Sequence, residues 1–238
     1  MTILALDSSG LVASVAILTD DSITAEYTIN FKKTHSQTLL PMLDTIVSMV
    51  ELDLNKIDAI AIASGPGSFT GLRIGSSTAK GLGLALKKPL ISIPTIEGLA
   101  FNLFGTDKII CPIMDAKRNQ VYTGLYEFKK DEFITLSEQK AVSIEEIVNE
   151  LNLLSREVIF LGDGVEVYKD IIQEKITVPF LFAPAHLTKQ RASAIATLGK
   201  MYYENGVIEE AAEHKPTYLR LPQAERERNE RLNLNTKE

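Results

Sequence analysis

Two segments of the sequence hold residue types that can bind a divalent cation or an anion, and the first is Asp7-Ser8-Ser9-Gly10. It follows a short apolar run, so we expect it to form a tight turn between two strands. A carboxylate beside hydroxyls can hold Mg²⁺, and the amides of such a turn can face phosphate. The same residue types are common in ordinary hairpin turns, and the four residues alone favour that simpler interpretation.

The second segment is a glycine-rich turn, Gly65 to Gly71, between a predicted strand and a predicted helix. Amides at the helix N-terminus could face an anion there, and Arg73 would add a cation. The spacing does not match the dinucleotide-binding fingerprint, and no lysine follows Gly71 as a Walker loop requires. A turn that lets strand and helix pack closely is an equally good interpretation. With the aspartate that ends a later apolar run, the predicted nucleotide or anion cleft comprises Asp7, Ser8, Ser9, Gly65, Gly67, Ser68, Thr70, Gly71, Arg73 and Asp115.

Histidine and cysteine are scarce in this chain. The three histidines, His35, His186 and His214, are not spaced to share one helix face, so we expect no metal site. The single cysteine, Cys111, lies in an apolar run, where a buried and inert thiol is expected. No serine lies in a G-x-S-x-G elbow, which argues against a serine hydrolase. We therefore predict neither a metal site nor a catalytic residue.

The elements that position these segments follow from the apolar pattern. Three short strands joined by tight turns occupy residues 3–29 and predict an antiparallel meander. A helix begins after Thr34, which has capping-box spacing to Gln37, and Pro41 predicts a kink inside it. Buried strands, the glycine-rich turn and two further helices occupy residues 57–104, so that the element order is βββαβαβα.

The pattern restarts at Lys108, where a strand ends in Asp115 and a hairpin follows, as after Asp7. The remaining elements of this second unit are helices near residues 143–153 and 188–204 and a strand at 158–161. We therefore predict two copies of one α/β unit. The predicted domains are residues 1–105, with the partner-binding helices, residues 106–223, and a polar tail, 224–238. The tail is expected to be frayed or a helix exposed to solvent.

The bulk composition limits the classes of function. The chain has 238 residues, of which 45% are hydrophobic, and a net charge of -6. An acidic chain gains little counterion release from nucleic acid, so we expect a partner to hold most of any RNA. No apolar run is long enough for a membrane span, and the N-terminus lacks a signal-peptide pattern, which favours a cytoplasmic protein.

The helix that follows Thr34 has more apolar surface than one buried stripe requires. Surplus apolar surface on a helix indicates a partner that covers it. Two helices of this chain and two of a partner would form a four-helix interface, in which small residues allow close approach. The predicted interface residues are Leu39, Leu40, Leu43, Ile46, Val47, Gly75, Ala79 and Leu82.

Three motifs carry a resemblance to a known family: residues 4–9, residues 34–41 and residues 65–75, of which the last is the most specific. Together they resemble the TsaB (YeaZ) family of the glycoprotease-like superfamily, strongly over residues 1–104 and weakly beyond. The resemblance implies an actin/Hsp70/sugar-kinase-like (ASKHA) α/β fold, built from two duplicated ribonuclease H-like units with a cleft between them. This agrees with the duplication predicted from the element order.

The resemblance also implies a non-catalytic dimerisation subunit of the tRNA adenosine threonylcarbamoyltransferase complex, which binds and activates TsaD. It implies a heterodimer with TsaD and a ternary complex with the ATPase TsaE, with tRNA contacted only through the complex. We predict a homodimer through the same face when TsaD is absent. TsaD-type relatives carry a metal-binding His-x-x-x-His pair where this chain has Thr95 and Leu99. ATP and metal are therefore expected to belong to partner subunits, with no cofactor bound tightly here.

A second hypothesis is a nucleotide phosphotransferase or hydrolase of the actin-like fold that acts alone. The predicted cleft would serve it, and Gly162-Asp163-Gly164 is compatible with a remnant of a nucleotide motif. The missing lysine after Gly71 argues against it, whereas nucleotide binding by the isolated chain would support it. A glycoprotease activity, which the superfamily's name suggests, would need the histidines that Thr95 and Leu99 replace.

Overall fold

The computed structural model describes residues 1–220, and the predicted polar tail at 224–238 lies outside the described residues. The strands are β1 (Thr2–Asp7), β2 (Val12–Thr19), β3 (Ser22–Asn30), β4 (Ala59–Gly65), β5 (Leu90–Pro94), β6 (Ile109–Asp115), β7 (Gln120–Lys129), β8 (Glu132–Ser143), β9 (Val158–Leu161) and β10 (Phe180–Phe182). The helices are α1 (His35–Met49), α2 (Phe69–Leu86), α3 (Thr95–Phe101), α4 (Ile144–Leu154), α5 (Gly164–Lys175) and α6 (Ala192–Glu204). Within this described part, no helix has both the length and the apolar character needed to cross a membrane.

The strands form two five-stranded sheets with the same order, β3-β2-β1-β4-β5 in the first and β8-β7-β6-β9-β10 in the second. In each sheet the first three strands form an antiparallel meander. In the first sheet β4 runs parallel to β1, and β5 runs parallel to β4. In the second sheet β9 runs parallel to β6, and β10 runs parallel to β9. This repeated arrangement confirms the predicted duplication and the ASKHA-type α/β fold class.

The apolar strands of the first sheet are buried on both faces because helices cover both sides of it. Successive residues of β1 point to opposite faces. Leu4 and Leu6 pack with side chains of α1 and α2, whereas Ile3 and Ala5 pack with side chains of α3 and α6. The end of β1, which carries Asp7, is therefore held on a rigid scaffold next to the N-terminus of α2.

Helix α6 follows the second unit in the chain but packs on the first sheet, so its predicted place in the second unit is wrong. The Ala192 amide donates to Ser14 Oγ at 2.8 Å, and the Ser193 amide donates to Glu26 Oε1 at 3.0 Å. Burial raises the pKa of Glu26, but hydrogen bonds from Arg191 and Ser193 outweigh it and hold that pKa below its ordinary value. Side chains of β2 and β3 thus cap α6.

The chain passes from the first sheet to the second between α3 and β6. The exact domain boundary near residue 105 stays a prediction.

Three elements of the second unit were not predicted from the sequence: β8, α5 and β10. All side chains of β8 are exposed or half-buried, and β10 has three residues. Helix α5 buries Tyr168 and Ile172 along a narrow stripe. Elements with so little buried surface leave only a weak periodic signal in a sequence.

Helix α1 begins where predicted, with Thr34 at the N-cap position, but the predicted capping box is wrong. The Thr34 side chain makes no capping bond, and the Gln37 amide instead donates to the Thr34 backbone oxygen at 2.9 Å. The backbone carbonyl therefore does what the sequence pattern assigned to the hydroxyl.

The thiol of Cys111 is buried on β6, as predicted. Its Sγ lies 3.6 Å from Thr123 Oγ1, and burial raises the pKa of Cys111 to about 12. Because the thiolate is the reactive form, this cysteine is inert at neutral pH.

Candidate functional site

A cavity of about 650 Å³ opens between the turn after β1, the N-terminus of α2 and the β6–β7 turn. We term it the cleft. The predicted cleft residues that line it are Ser9, Gly67, Ser68, Thr70, Gly71 and Asp115. The predicted residues outside its lining are Asp7, Ser8, Gly65 and Arg73. The fold thus brings the two predicted segments together but places part of the predicted site behind the cleft wall.

Asp7 is buried at the end of β1, with 1% of its surface exposed. Its Oδ1 accepts hydrogen bonds from the Ser9 amide at 2.8 Å and from Ser9 Oγ at 2.6 Å. Burial raises the pKa of Asp7 to about 6, and the bonds from Ser9 and the nearby His35 offset this only in part. Ser8 faces the same interior, since its Oγ donates to the Gly71 backbone oxygen at 2.9 Å. These two side chains therefore support the turn from behind.

The substitution Asp7→Asn is expected to stabilise the fold at pH 7.5 by about 1–3 kcal/mol. The folded-state pKa lies above the unfolded value, so the folded chain binds the proton more tightly, and stability falls as pH rises from about 4 to about 6. Asparagine keeps the Oδ1 acceptor for Ser9 without the buried charge. Thermal unfolding at pH 4 and pH 7.5 measures the effect, with the exposed Asp44→Asn on α1 as control. Equal shifts at both pH values would contradict this account.

The glycines of the turn are needed for close packing. A Cβ on Gly67 would lie 2.3 Å from the Ser9 carbonyl oxygen, and one on Gly71 would lie 2.1 Å from the Ser8 carbonyl oxygen. The Ser68 amide donates to the Ser9 carbonyl at 2.7 Å, and Ser68 Oγ caps the helix by accepting from the Gly71 amide at 3.3 Å. Of the two interpretations offered by the sequence, these contacts confirm the packing role. Anion binding at this turn stays a prediction.

The cleft also has cationic lining residues that the sequence-based site did not include: Lys32, Lys33, Lys117 and Arg220. Arg220 donates to the Ala116 backbone oxygen and joins the segment after α6 to the second sheet. With Asp115 and Asp163 as its carboxylates, the lining has four cations against two acids, although the whole chain has a net charge of -6. The lysine pair after β3 is visible in the sequence, but only the fold brings it to the glycine-rich turn.

Asp115 is tied to its own turn. Its Oδ1 accepts from the Lys117 amide at 2.8 Å and from the Tyr168 hydroxyl at 3.2 Å. Burial raises the pKa of Asp115, but the hydrogen bonds and charge of Lys117 outweigh it and keep this carboxylate ionised. Lys117, Arg118 and Asn119 all have φ near +60°, a region that costs non-glycine residues about 1 kcal/mol or more each. The β6–β7 turn is therefore a strained, charged wall of the cleft.

Arg73 does not point into the cleft as predicted. Its guanidinium carbon lies 3.9 Å from the centre of the Phe69 ring, and its Nε donates to the Tyr218 hydroxyl at 3.4 Å. The ring centroids of Phe69 and Tyr218 are 4.8 Å apart. The arginine is exposed on the outer side of α2 because this aromatic pair holds it there.

A second cavity of about 550 Å³ lies between the N-terminal halves of α1 and α2, on the surface predicted to bind a partner. We term it the helix groove. Its lining residues are His35, Ser36, Leu39, Leu40, Phe69, Thr70, Arg73, Ile74, Ser77 and Thr78. His35, Phe69 and Thr70 also line the cleft, so the two cavities share a wall.

The structure corrects the predicted interface. The following predicted residues are only 0–4% exposed and pack in this chain's own core: Leu39, Leu43, Ile46 and Ala79. Gly75 is also buried, since a Cβ there would lie 2.3 Å from Ser8 Oγ. Val47 and Leu82 are half-buried, whereas Leu40 is 55% exposed. The apolar surplus of α1 is therefore smaller than predicted, because the first sheet covers a wide stripe of the helix.

The sequence matches one family over most of its length. A model of the family described as TsaD, tRNA N6-adenosine threonylcarbamoyltransferase, matches residues 22–228. The tRNA threonylcarbamoyladenosine biosynthesis protein TsaB of Bacillus subtilis (strain 168) is 35% identical over 228 residues, 94% of this chain and 96% of that protein. The TsaB of Escherichia coli (strain K12) is 32% identical over 92% of this chain and 95% of that protein. The chain belongs to the TsaB family.

A solved structure agrees with this TsaB membership. YeaZ from Pseudomonas aeruginosa matches the structure with a TM-score of 0.79 at 26% identity. The match covers 92% of this chain and 99% of YeaZ. The TsaB-family chain therefore has the architecture of this relative across both of its sheets.

In this TsaB-family chain, the two positions that the resemblance aligns with a histidine pair lie in the interior. Thr95 is 0% exposed, and its Oγ1 accepts a hydrogen bond from the Gly65 amide at 3.1 Å. Leu99 packs in the core between the two sheets. Across residues 1–220, no cluster of three or more His, Cys, Asp or Glu side chains is arranged to hold a metal ion. Here the segment supports the glycine-rich turn.

A polar cluster that no sequence pattern predicted joins Ser92, Glu209 and His214 in this TsaB-family chain. His214 Nδ1 lies 2.8 Å from Glu209 Oε1 and 3.1 Å from Ser92 Oγ, and Ser92 also donates to Glu209. In a Ser-His-acid triad the serine and the acid use different ring nitrogens, whereas here both are at Nδ1. The cluster therefore has a structural role: its hydrogen bonds hold the segment after α6 against β5, beside the Leu90–Glu209 bridge.

Proposed function

We propose that this chain is a non-catalytic subunit in the biosynthesis of tRNA threonylcarbamoyladenosine, and that it binds and activates a TsaD-type protein. Two curated relatives that match nearly the whole chain carry the name of that pathway. The observation that carries the non-catalytic role is the burial of Thr95 and Leu99 at the positions of the histidine pair. Neither side chain supplies an imidazole, so a metal-dependent centre of the TsaD kind has no ligand pair at this place.

The assembly we propose combines what the family resemblance implies with the surface and the charge of this chain. The helix groove binds the TsaD-type partner, and a homodimer forms through the same face when that partner is absent. The ATPase TsaE joins a ternary complex, and ATP and metal belong to the partner subunits. An acidic chain with a net charge of -6 contacts tRNA through the complex, in the cytoplasm.

The test uses the purified chain with the TsaD-type and TsaE-type proteins of the same genome. Size-exclusion chromatography with light scattering is expected to show a heterodimer with the TsaD-type protein. Nucleoside analysis of tRNA is expected to show the modification only when all the proteins and their substrates are present. Modification by this chain without the TsaD-type protein, or a failure of the two to associate, would overturn the proposal.

A nucleotide phosphotransferase or hydrolase that acts alone is the second candidate, favoured by the cationic lining of the cleft. The contacts of the turn weigh against it, since Asp7 lies behind the wall and the Ser68 and Gly71 amides already have acceptors. Calorimetry of the isolated chain with ATP and Mg²⁺ separates the two candidates. Tight binding followed by turnover would favour the enzyme.

A further inference from the structure

The helix groove has an unusual distribution of charge. Arg73 is the one Lys, Arg, Asp or Glu side chain among its lining residues. The other lining residues are hydroxyl-bearing, apolar or aromatic, apart from His35. Within residues 1–220, no carboxylate lies within ion-pair distance of Arg73. In the part of the chain that the structure describes, one guanidinium without a carboxylate partner therefore stands in an otherwise neutral groove.

The guanidinium is held in one place. Phe69 supports one face of it at 3.9 Å, and the Tyr218 hydroxyl accepts from Nε at 3.4 Å. An arginine fixed in this way loses less conformational entropy when its terminal nitrogens bind a partner. Leu40, on the opposite side of the groove, is 55% exposed and supplies apolar contact area beside the charge.

We propose that Arg73 is a specificity-determining residue of the partner interface, and that it pairs with a carboxylate side chain of the TsaD-type protein seated in the helix groove. This inference rests on the proposed function. A guanidinium binds a carboxylate through two parallel hydrogen bonds, and exclusion of water by Leu40 strengthens such a pair. A nucleic acid is the poorer occupant, because a phosphate backbone is bound by several cations and this groove supplies one.

The experiment measures the dissociation constant of the complex with the TsaD-type protein by calorimetry at two salt concentrations. Arg73→Glu is expected to raise it at least about 30-fold, and Arg73→Gln about 10-fold. Lys130→Glu, the same charge reversal at an exposed turn of the second unit, is the matched control and is expected to change it less than about twofold. The salt dependence seen with the wild-type chain is expected to weaken in Arg73→Gln.

Charge exchange gives the sharper test. Replacing carboxylates of the TsaD-type protein by arginine one at a time is expected to yield one variant that restores binding to Arg73→Glu. Thermal unfolding of each Arg73 variant shows that the chain stays folded. If the wild-type chain binds and Arg73→Glu binds equally well, the inference is overturned and the proposed function stands. If the wild-type chain does not bind, the proposed function itself is overturned.

Discussion

Replacing Leu40 by aspartate is expected to weaken the complex with a TsaD-type partner strongly while the chain stays folded. Leu40 is 55% exposed at the rim of the helix groove and is the best exposed of the predicted interface residues. Burying a carboxylate where a leucine side chain would dock costs about 2–4 kcal/mol of binding free energy, a weakening of about 30- to 1,000-fold. Calorimetry with the purified partner measures the change.

Two further leucines serve as controls for this prediction. Leu153→Asp places the same change on α4 of the second unit, where the leucine is 86% exposed, and is expected to leave binding and stability unaltered. Leu43→Asp, at a residue only 3% exposed, is expected to unfold the chain because a charge enters the core of the first sheet. Wild-type affinity of Leu40→Asp would show that the helix groove is not the interface.

Gly71→Ala is expected to destabilise the isolated chain by at least about 3 kcal/mol and to lower its melting temperature by about 6–12 °C. Gly71 lies in the first turn of α2, where an added Cβ would stand 2.1 Å from the Ser8 carbonyl oxygen. That atom belongs to the backbone of the turn after β1, so the helix or the turn must move. Differential scanning calorimetry of the purified variant measures the loss.

The same substitution elsewhere in α2 gives the matched control. A Cβ on Gly81 meets no atom within 4 Å, and the residue is exposed. Gly81→Ala is therefore expected to stabilise the helix by about 0.5–1 kcal/mol, since alanine loses less backbone entropy than glycine. Opposite shifts of the two variants support the close contact between α2 and the turn, and shifts of the same sign would refute it.

Much of the architecture could be predicted because most of the elements leave a local signal. The apolar runs of β1 and β4 are long enough to show burial on both faces, and the glycine-rich turn marks the passage from β4 to α2. The repeat of a strand ending in aspartate followed by a hairpin was enough to predict the duplication. β8 escaped prediction because none of its side chains is fully buried, and α5 because its buried stripe is too narrow to produce a clear period.

The positions of individual site residues depend on contacts between distant parts of the chain. Leu39 and Leu40 are neighbours of the same type, yet one is 1% and the other 55% exposed. Successive residues of a helix point about 100° apart, so the sheet covers one and leaves the other in solvent. Apolar periodicity shows that a helix has a buried face, but the width of that face depends on what packs against it.

Local patterns in the chain were therefore sufficient for the α/β class and the duplicated units, whereas the ASKHA-type fold was predicted from the family resemblance. Long-range packing decides three further features. These are the direction of the Arg73 side chain, the burial of Asp7 behind the cleft wall and the packing of α6 on the first sheet. Glu26, for example, caps a helix that begins 166 positions further along the chain. No pattern within a short window encodes such a pairing, because its free energy arises only when both segments are already folded against each other.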